Sequence, residues 1–369
     1  MALKTPLCDL LGIELPIIQA PMAGGVTTPD LVSAVCEAGA LGSFGFAYTQ
    51  PEAMQHDAEQ VRARTPAPFC VNLFAARNTG AIDDAAQSAA LEAVAPYYQE
   101  LGLKPPRPVR PPFAPDQASQ LDAVEAIRPA VFTFHLGEVQ AQRIRAMQSQ
   151  GIKVGGSATT VVEAKHLETL GVDFIVAQGA EAGGHRGTYL RDPYDAMTGT
   201  LALVRLIVRA VDLPVVAAGG IMDGAGIAAV LALGAQAAQL GTAFVPCAES
   251  GASRPHKTAI LAAQEDDTVI TEKFSGKPAR ALANRYTREM RERNAPHLAF
   301  PAQNALTVPL RAAALTAANA EFLSMWAGQA AALSRELPAS ELIAALRSET
   351  LEALERVSHL RDSHLSRPR

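Results

Sequence analysis

Phe174-Ile175-Val176-Ala177-Gln178-Gly179-Ala180-Glu181-Ala182-Gly183-Gly184-His185-Arg186-Gly187 passes from a β-branched apolar run directly into a glycine-rich loop. A short apolar run closed by glycine reads as a buried strand that delivers a loop. Gly179, Gly183, Gly184 and Gly187 let the backbone approach a ligand closely, which leaves Glu181, His185 and Arg186 to do chemistry or hold charge. Taken alone, the stretch equally suits a tight turn with a hydrogen-bonded structural histidine. Matching glycine loops after two later strands are what point to a convergent site.

The same grammar recurs along the chain: a helical pattern ends at glycine, a short apolar run follows, and a second glycine closes it. It appears at 39–45, 151–155, 171–179 and 234–241, and the runs 15–20, 69–74, 131–134 and 214–218 bring the candidate strands to eight. Between them, Thr28-Pro29-Asp30 supplies a cap and a first-position proline ahead of Leu31, Val32 and Val35, and Asp223 caps the helix after the seventh strand. Nearly continuous apolar strands alternating with helices predict an α/β fold of the TIM (β/α)8 barrel type, with a doubly wound open sheet as the alternative.

Two stretches exceed the repeat: 75–130, with its Lys104-Pro105-Pro106-Arg107-Pro108 run, and everything after Glu249. Both leave the C-terminal ends of strands, the face on which barrel active sites lie. The expectation is a barrel over 1–75 and 115–248, and a smaller, mainly helical cap over 76–114 and 249–369. The polar, basic stretch from Val357 onward reads as a frayed tail.

With 49% hydrophobic and 19% charged residues and a formal net charge of −5, the 369-residue chain has no general attraction for nucleic acid or anionic membranes. Met1 to Pro6 lacks the apolar core of a secretory signal, so a cytoplasmic location is expected. Cys8, Cys36, Cys70 and Cys247 are scattered without metal-ligand spacing, and no metal is expected. The uncharged stretch 224–248 is long enough to span a membrane, but its internal glycines, Gln236 and Gln239 divide it into a helix and a short strand.

After the seventh strand comes Ala217-Ala218-Gly219-Gly220, and after the eighth Gln239-Leu240-Gly241-Thr242. Barrel loops at these positions commonly bind phosphate through backbone amides near a helix N-terminus, which nominates Gly219, Gly220, Gly241 and Thr242. Strand one runs into Gln19-Ala20-Pro21-Met22-Ala23-Gly24-Gly25, where the small residues around Met22 allow a planar ring to lie against backbone. Asn72 and Gln178 each offer a donor and an acceptor to a heteroaromatic edge. Together these make the polar inventory of a flavin site. Neither GxGxxG after a strand nor GxxxxGK[ST] occurs, which argues against a Rossmann site or a P-loop.

These residues resemble the nitronate monooxygenases, formerly called 2-nitropropane dioxygenases. The stretch 16–25 is similar to the family's first motif, 178–187 to its histidine motif and 217–242 to its phosphate-end motif. Phe134-His135-Leu136-Gly137, Pro301-Ala302-Gln303-Asn304 and Trp326-Ala327-Gly328-Gln329 look like further segments of the bacterial class I pattern. The resemblance implies noncovalent FMN, a small-molecule nitronate and O2 as reactants, and oxidation of alkyl nitronates to a carbonyl compound and nitrite. Propionate 3-nitronate is the implied substrate and a homodimer the implied assembly. It also implies that Asn72, Gln178, Gly183, Gly220, Gln239, Leu240, Gly241 and Thr242 hold FMN and that His185 is catalytic; the reading of the loops adds Met22, Ala23, Gly24 and Gly219 to the expected cofactor contacts. The chain departs from the pattern at Pro296-His297-Leu298-Ala299-Phe300-Pro301, where class I relatives often carry tyrosines; His297 and Tyr286 are the nearest replacements.

A nitronate is already an anion, so the enzyme need not deprotonate it. His185, with a side chain that ordinarily titrates near neutrality, is expected to donate to the nitro oxygens or, for a neutral nitroalkane, to act as base. His135, at the end of strand four, is a second candidate for substrate contact. Arg186 is expected in a structural ion pair with Glu181, and Glu249 and Ser250 as caps of the next helix. The rival readings are an FMN-dependent NAD(P)H:quinone or enoyl-thioester reductase, a flavin-free sugar-phosphate isomerase, and a non-catalytic flavin-binding protein.

Overall fold

The computed structural model describes residues 3–75 and 82–365, with side chains to residue 359. Its strands are β1 (Ile17–Gln19), β2 (Gly42–Gly45), β3 (Phe69–Phe74), β4 (Val131–His135), β5 (Lys153–Ala158), β6 (Phe174–Gln178), β7 (Gly184–His185), β8 (Val215–Ala218), β9 (Ala237–Leu240), β10 (Thr268–Thr271) and β11 (Ala279–Leu282). Eight of them form one parallel sheet in the order β1-β9-β8-β6-β5-β4-β3-β2, and a bridge between Ile18 and Leu41 brings its two edges together. This is the expected TIM barrel, and all eight expected strands are present.

Alternation along the strands sorts the core into two layers. Val71, Phe132, Phe134, Val154, Ile175, Ala177, Ala217 and Ala238 pack outward with the helices. Cys70, Val131, Phe174, Val176, Val216, Ala218 and Ala237 point inward, and Leu7, Cys8 and Leu11 of the helix Pro6–Leu11 join that inner cluster. A Cβ on Gly155 would lie 2.4 Å from the Phe174 ring, so β5 yields side-chain space that Phe174 fills. The same inward parity continues to the C-terminal strand ends as Asn72, Thr133, His135, Ser157, Gln178 and Gln239, which replace the apolar filling with polar groups.

The helices begin as their sequences predict: the Thr28 side chain accepts from the Leu31 amide, and Asp223 from that of Gly226. The two long excursions meet. Ala90, Val94, Tyr97 and Tyr98 of the helix Asp84–Glu100 share one apolar cluster with Phe274, Tyr286, Leu306, Leu310 and Phe322, and the Tyr98 hydroxyl donates to the Leu306 carbonyl at 2.6 Å. A small antiparallel sheet, β10-β11-β7, for which no local pattern was apparent, ties the later excursion to the loop after β6.

Three local expectations are corrected. The chain after Val357 continues the helix Ala339–Leu365 rather than fraying; Ala339, Leu342, Ile343 and Leu346 anchor the first turns of that helix in the barrel's outer layer, while Val357 to His359 are exposed. The end of the expected tail, 366–369, and the start of the first excursion, 76–81, lie outside the described residues. This packing also sets part of the 249–369 segment against the barrel wall instead of over its mouth. Ser253, not Glu249 or Ser250, caps the next helix, Arg254–Leu261. Glu249 instead accepts from the Ala339 amide at 3.1 Å through both oxygens, capping the last helix from a distance in sequence. No described helix is long and apolar enough to cross a membrane.

Candidate active site

A cavity of about 910 Å³ opens at the C-terminal end of the barrel strands. Met22, Ala23, Gly24, Asn72, His135, Gln178, Gly183, His185, Gly219, Gly220, Gln239, Gly241 and Thr242 all line it. Leu240 does not: strand parity turns its side chain into the outer helix-facing layer, so of that residue only backbone remains for a ligand.

The loop carrying His185 is held from several directions. Gln178 Nε2 donates to the His185 carbonyl at 2.9 Å and Gln178 Oε1 accepts from the Gly187 amide at 2.8 Å. His135 Nε2 lies 3.1 Å from the same His185 carbonyl and donates to it. β7 pairs His185 with Ala279 of β11. Gln178 therefore spends both ends of its amide on the loop, and Asn72 donates to Thr133 Oγ1 at 2.9 Å. Both residues still face the cavity, but much of their bonding capacity positions protein rather than waiting for a ligand.

Arg186 forms no ion pair with Glu181. Its guanidinium donates to the carbonyls of Gln178, Ala196 and Thr159, cross-tying three loops. Glu181 accepts from the Thr200 amide at 2.7 Å and from the Thr200 hydroxyl at 2.8 Å, which fixes the start of the helix Thr200–Val208.

Gly219 and Gly220 have φ of +123° and +70°, backbone that side-chain-bearing residues rarely adopt, and they face Gly241 and Thr242 across the same wall. Thr242 Oγ1 accepts from the Gly328 amide at 2.8 Å, which draws the 326–329 segment onto this wall. The first amides of the neighbouring helix Gly224–Ala232 are already taken, Gly224 by Glu349 at 2.9 Å and Gly226 by Asp223 at 2.8 Å.

The imidazole of His185 is surrounded by rings, with centroids 5.6 Å from Phe74, 5.5 Å from Phe300 and 5.4 Å from Trp326. Its Nε2 is buried without a hydrogen-bond partner among the described residues. Burial pushes its pKa down to about 3, helped by the nearby His135, Lys277 and Arg311. Burial likewise pushes His135 down to about 4, against the opposing pull of the His185 carbonyl. Both rings are thus neutral at physiological pH, whereas the sequence suggested titration near neutrality. A neutral imidazole can still donate from one nitrogen and accept at the other.

Among the described lining residues there is no aspartate or glutamate, and Arg311 is the one lysine or arginine. Sequence reasoning missed Arg311, Tyr48 and the aromatic enclosure. Of the departing segment only Phe300 reaches the His185 ring. His297 is engaged with Lys273 at 3.0 Å and Glu272 at 3.3 Å, away from the cavity. Tyr286 is fully buried, donating to the Lys273 carbonyl at 3.1 Å.

These buried histidines make stability depend on pH. His135, His185 and His256 have folded-state pKa values lowered to about 4, 3 and 4. The unfolded chain takes up protons first as the pH falls through about 6.5, so stability present above that pH is lost toward about pH 4, at up to about 1.4 kcal/mol per pH unit for each histidine. Urea unfolding of the apoprotein at pH 7.5, 6 and 5 should show a falling midpoint; a constant midpoint would contradict the buried neutral rings.

A family described as Nitronate monooxygenase matches residues 4–349. The nitronate monooxygenases of Paraburkholderia phytofirmans and Pseudomonas aeruginosa are each 44% identical to this chain, over 96% and 92% of it and 97% of each relative. The structure of a nitroalkane oxidase from Streptomyces ansochromogenes superposes with a TM-score of 0.88 at 40% identity, covering 95% of this chain and 99% of its own. FabK from Thermotoga maritima superposes with a TM-score of 0.77 at 30% identity, over 97% of this chain and 99% of its own. The matches extend over the barrel and both excursions, and the chain is an oxidoreductase of the nitronate monooxygenase family.

Proposed function

We propose that the protein oxidises alkyl nitronates with O2 to a carbonyl compound and nitrite, using noncovalently bound FMN, and that propionate 3-nitronate is its physiological substrate. The observation that carries this reading is a His185 ring held neutral by burial on the lining of a cavity whose described lining contains no carboxylate. An anionic substrate meets no like charge there and finds a donor already desolvated.

The glycine loops at 219–220 and 241–242 suit the phosphate, and the wall formed by Met22, Ala23 and Gly24 suits a planar ring. When bound, the flavin accepts electrons from the nitronate and delivers them to oxygen. His185, kept neutral by burial, offers the nitro group a ring N–H. The rings of Phe74, Phe300 and Trp326 limit its rotation and keep water from the reacting end. His135 and Gln178 hold the His185 backbone and so act as positioning residues.

The test is the visible spectrum of the purified protein followed by anaerobic mixing with propionate 3-nitronate or NADH. A yellow protein bleached much faster by the nitronate supports the reading. Faster bleaching by NADH favours the second reading, an FMN-dependent NAD(P)H:quinone or enoyl-thioester reductase, to which the likeness to FabK gives weight. A colourless protein that does not take up flavin would overturn both.

A further inference from the structure

Trp326 is the only tryptophan in the chain, and its ring lies 5.4 Å from that of His185. One strand places both. β10 pairs with β11 along one edge, from Ala279 to Leu282, which leaves the other edge for His185 opposite Ala279 and Trp326 opposite Ala281. Directly opposed residues share a face of a sheet, and so do residues two apart on a strand. The side chains of Ala279, Ala281, His185 and Trp326 therefore lie on one face, where β11 contributes only two buried methyl groups beside the imidazole and the indole. Arg280 takes the opposite face, and its guanidinium donates to the Ala180 carbonyl at 3.1 Å.

The ladder bonds flank the Ala281–Trp326 pair: the Leu282 amide donates to the Met325 carbonyl at 2.9 Å and the Ala327 amide to the Arg280 carbonyl at 3.3 Å. In an antiparallel pair of this kind the opposed residue turns its own N–H and C=O away from the partner strand. The Trp326 carbonyl finds its donor elsewhere, in His256 Nε2 at 3.1 Å, which comes from the helix Arg254–Leu261. His256 is a buried residue of the cavity lining with no part in the mechanism above. Burial pushes its pKa down to about 4, so it donates as a neutral ring.

We infer that His256 is a positioning residue for the reacting end of the site: by holding the Trp326 carbonyl it fixes the indole against the His185 ring, and so fixes the direction in which the imidazole meets the substrate. This rests on the nitronate reading above and deepens it. The two ladder bonds hold one edge of the 325–327 segment and the His256 bond holds the other, so together they stop the segment from rotating about its own axis. Such a rotation would carry the indole off the imidazole. Ala281 completes the fit, because a larger side chain there would displace the indole from beside it.

The experiment compares His256→Leu, which keeps bulk but cannot donate, with His256→Gln, which can. With a single indole in the chain, tryptophan emission of the full-length protein as purified reads the Trp326 ring directly, whichever reaction the protein performs. In H256L the emission maximum is expected to move to the red and acrylamide to quench it more readily. On an alkyl nitronate kcat should fall about 3- to 10-fold with a smaller change in KM, the effect of one lost hydrogen bond. H256Q should recover most of both. A281V, with His256 intact, should disturb the emission in the same direction. The deciding measurement is a double-mutant cycle with Trp326→Leu: a residue that acts through the indole should cost under about 2-fold in kcat once the indole is gone. An equal cost in both backgrounds, or wild-type emission and quenching in H256L, overturns the assignment and leaves the nitronate reading intact. Should H256L fail to fold, His256→Asn, too short to reach the carbonyl, takes its place with the same outcomes. Absence of all nitronate turnover would sink the functional reading, while the emission would still decide the role of His256.

Discussion

His185→Asn is expected to fold, retain its flavin and lose about 10- to 100-fold in kcat/KM toward an alkyl nitronate. The size follows from removing one hydrogen bond to a charged group, worth roughly 1.5–3 kcal/mol when buried. Asparagine is too short to bring a donor to the place that Phe74, Phe300 and Trp326 reserve for the imidazole. Toward the neutral nitroalkane the loss should be larger, about 10²- to 10⁴-fold, because the same ring must then remove a proton from carbon. The contrast between the two substrates separates the roles: equal losses would mean that His185 acts by the same interaction in both, and unchanged turnover would remove it from the site. Since the imidazole stays neutral down to about pH 3, nitronate turnover governed by this residue should be level between pH 6 and 8. An inflection near pH 6.5 that disappears in the variant would show instead that the ring titrates normally.

Gly220→Val is expected to yield protein that is colourless as purified and binds FMN at least about 10²-fold more weakly. Two effects combine. The residue sits at φ +70°, where a β-branched side chain is strained, and an added Cβ would lie 3.0 Å from the Glu181 Cβ. Left-handed backbone costs an ordinary residue roughly 1–2 kcal/mol, and displacing a backbone donor from a phosphate costs roughly 1.5–3 kcal/mol more. Glu181 cannot simply yield, because its carboxylate holds the Thr200 amide and hydroxyl at 2.7 and 2.8 Å. Fluorescence titration of the apoprotein with FMN measures the loss, and circular dichroism shows whether the barrel persists. Gly220→Ala should fall between the two; wild-type affinity in the valine variant would move the phosphate away from this loop.

The outcome of reading the chain residue by residue divides along a physical line. Strand period, glycine punctuation and caps such as Thr28 and Asp223 are local, so they can be read from neighbours in sequence. Inward parity extends this to the site: once β3, β4, β6 and β9 are placed, Asn72, His135, Gln178 and Gln239 must face the same end of the barrel. The same alternation, applied strictly, would have excluded Leu240. What was missed comes from segments remote in the chain. Phe300, Arg311 and Trp326 reach His185 or the cavity because the two excursions fuse in one apolar cluster, and nothing near residue 311 announces it. The partners of Arg186 and Glu249 were misassigned for the same reason, since both bond to groups brought near only by folding.

The amino-acid order alone determined the barrel, the glycine-lined wall and which strand ends carry polar groups, because each depends on interactions a few residues long repeated eight times around a closed sheet. The tertiary structure decided the charge state of His185, the lack of a partner for its Nε2 and the presence of a lone guanidinium on the same cavity lining. Desolvation is the reason: it sums over every atom that excludes water from a group, and those atoms come from all parts of the chain.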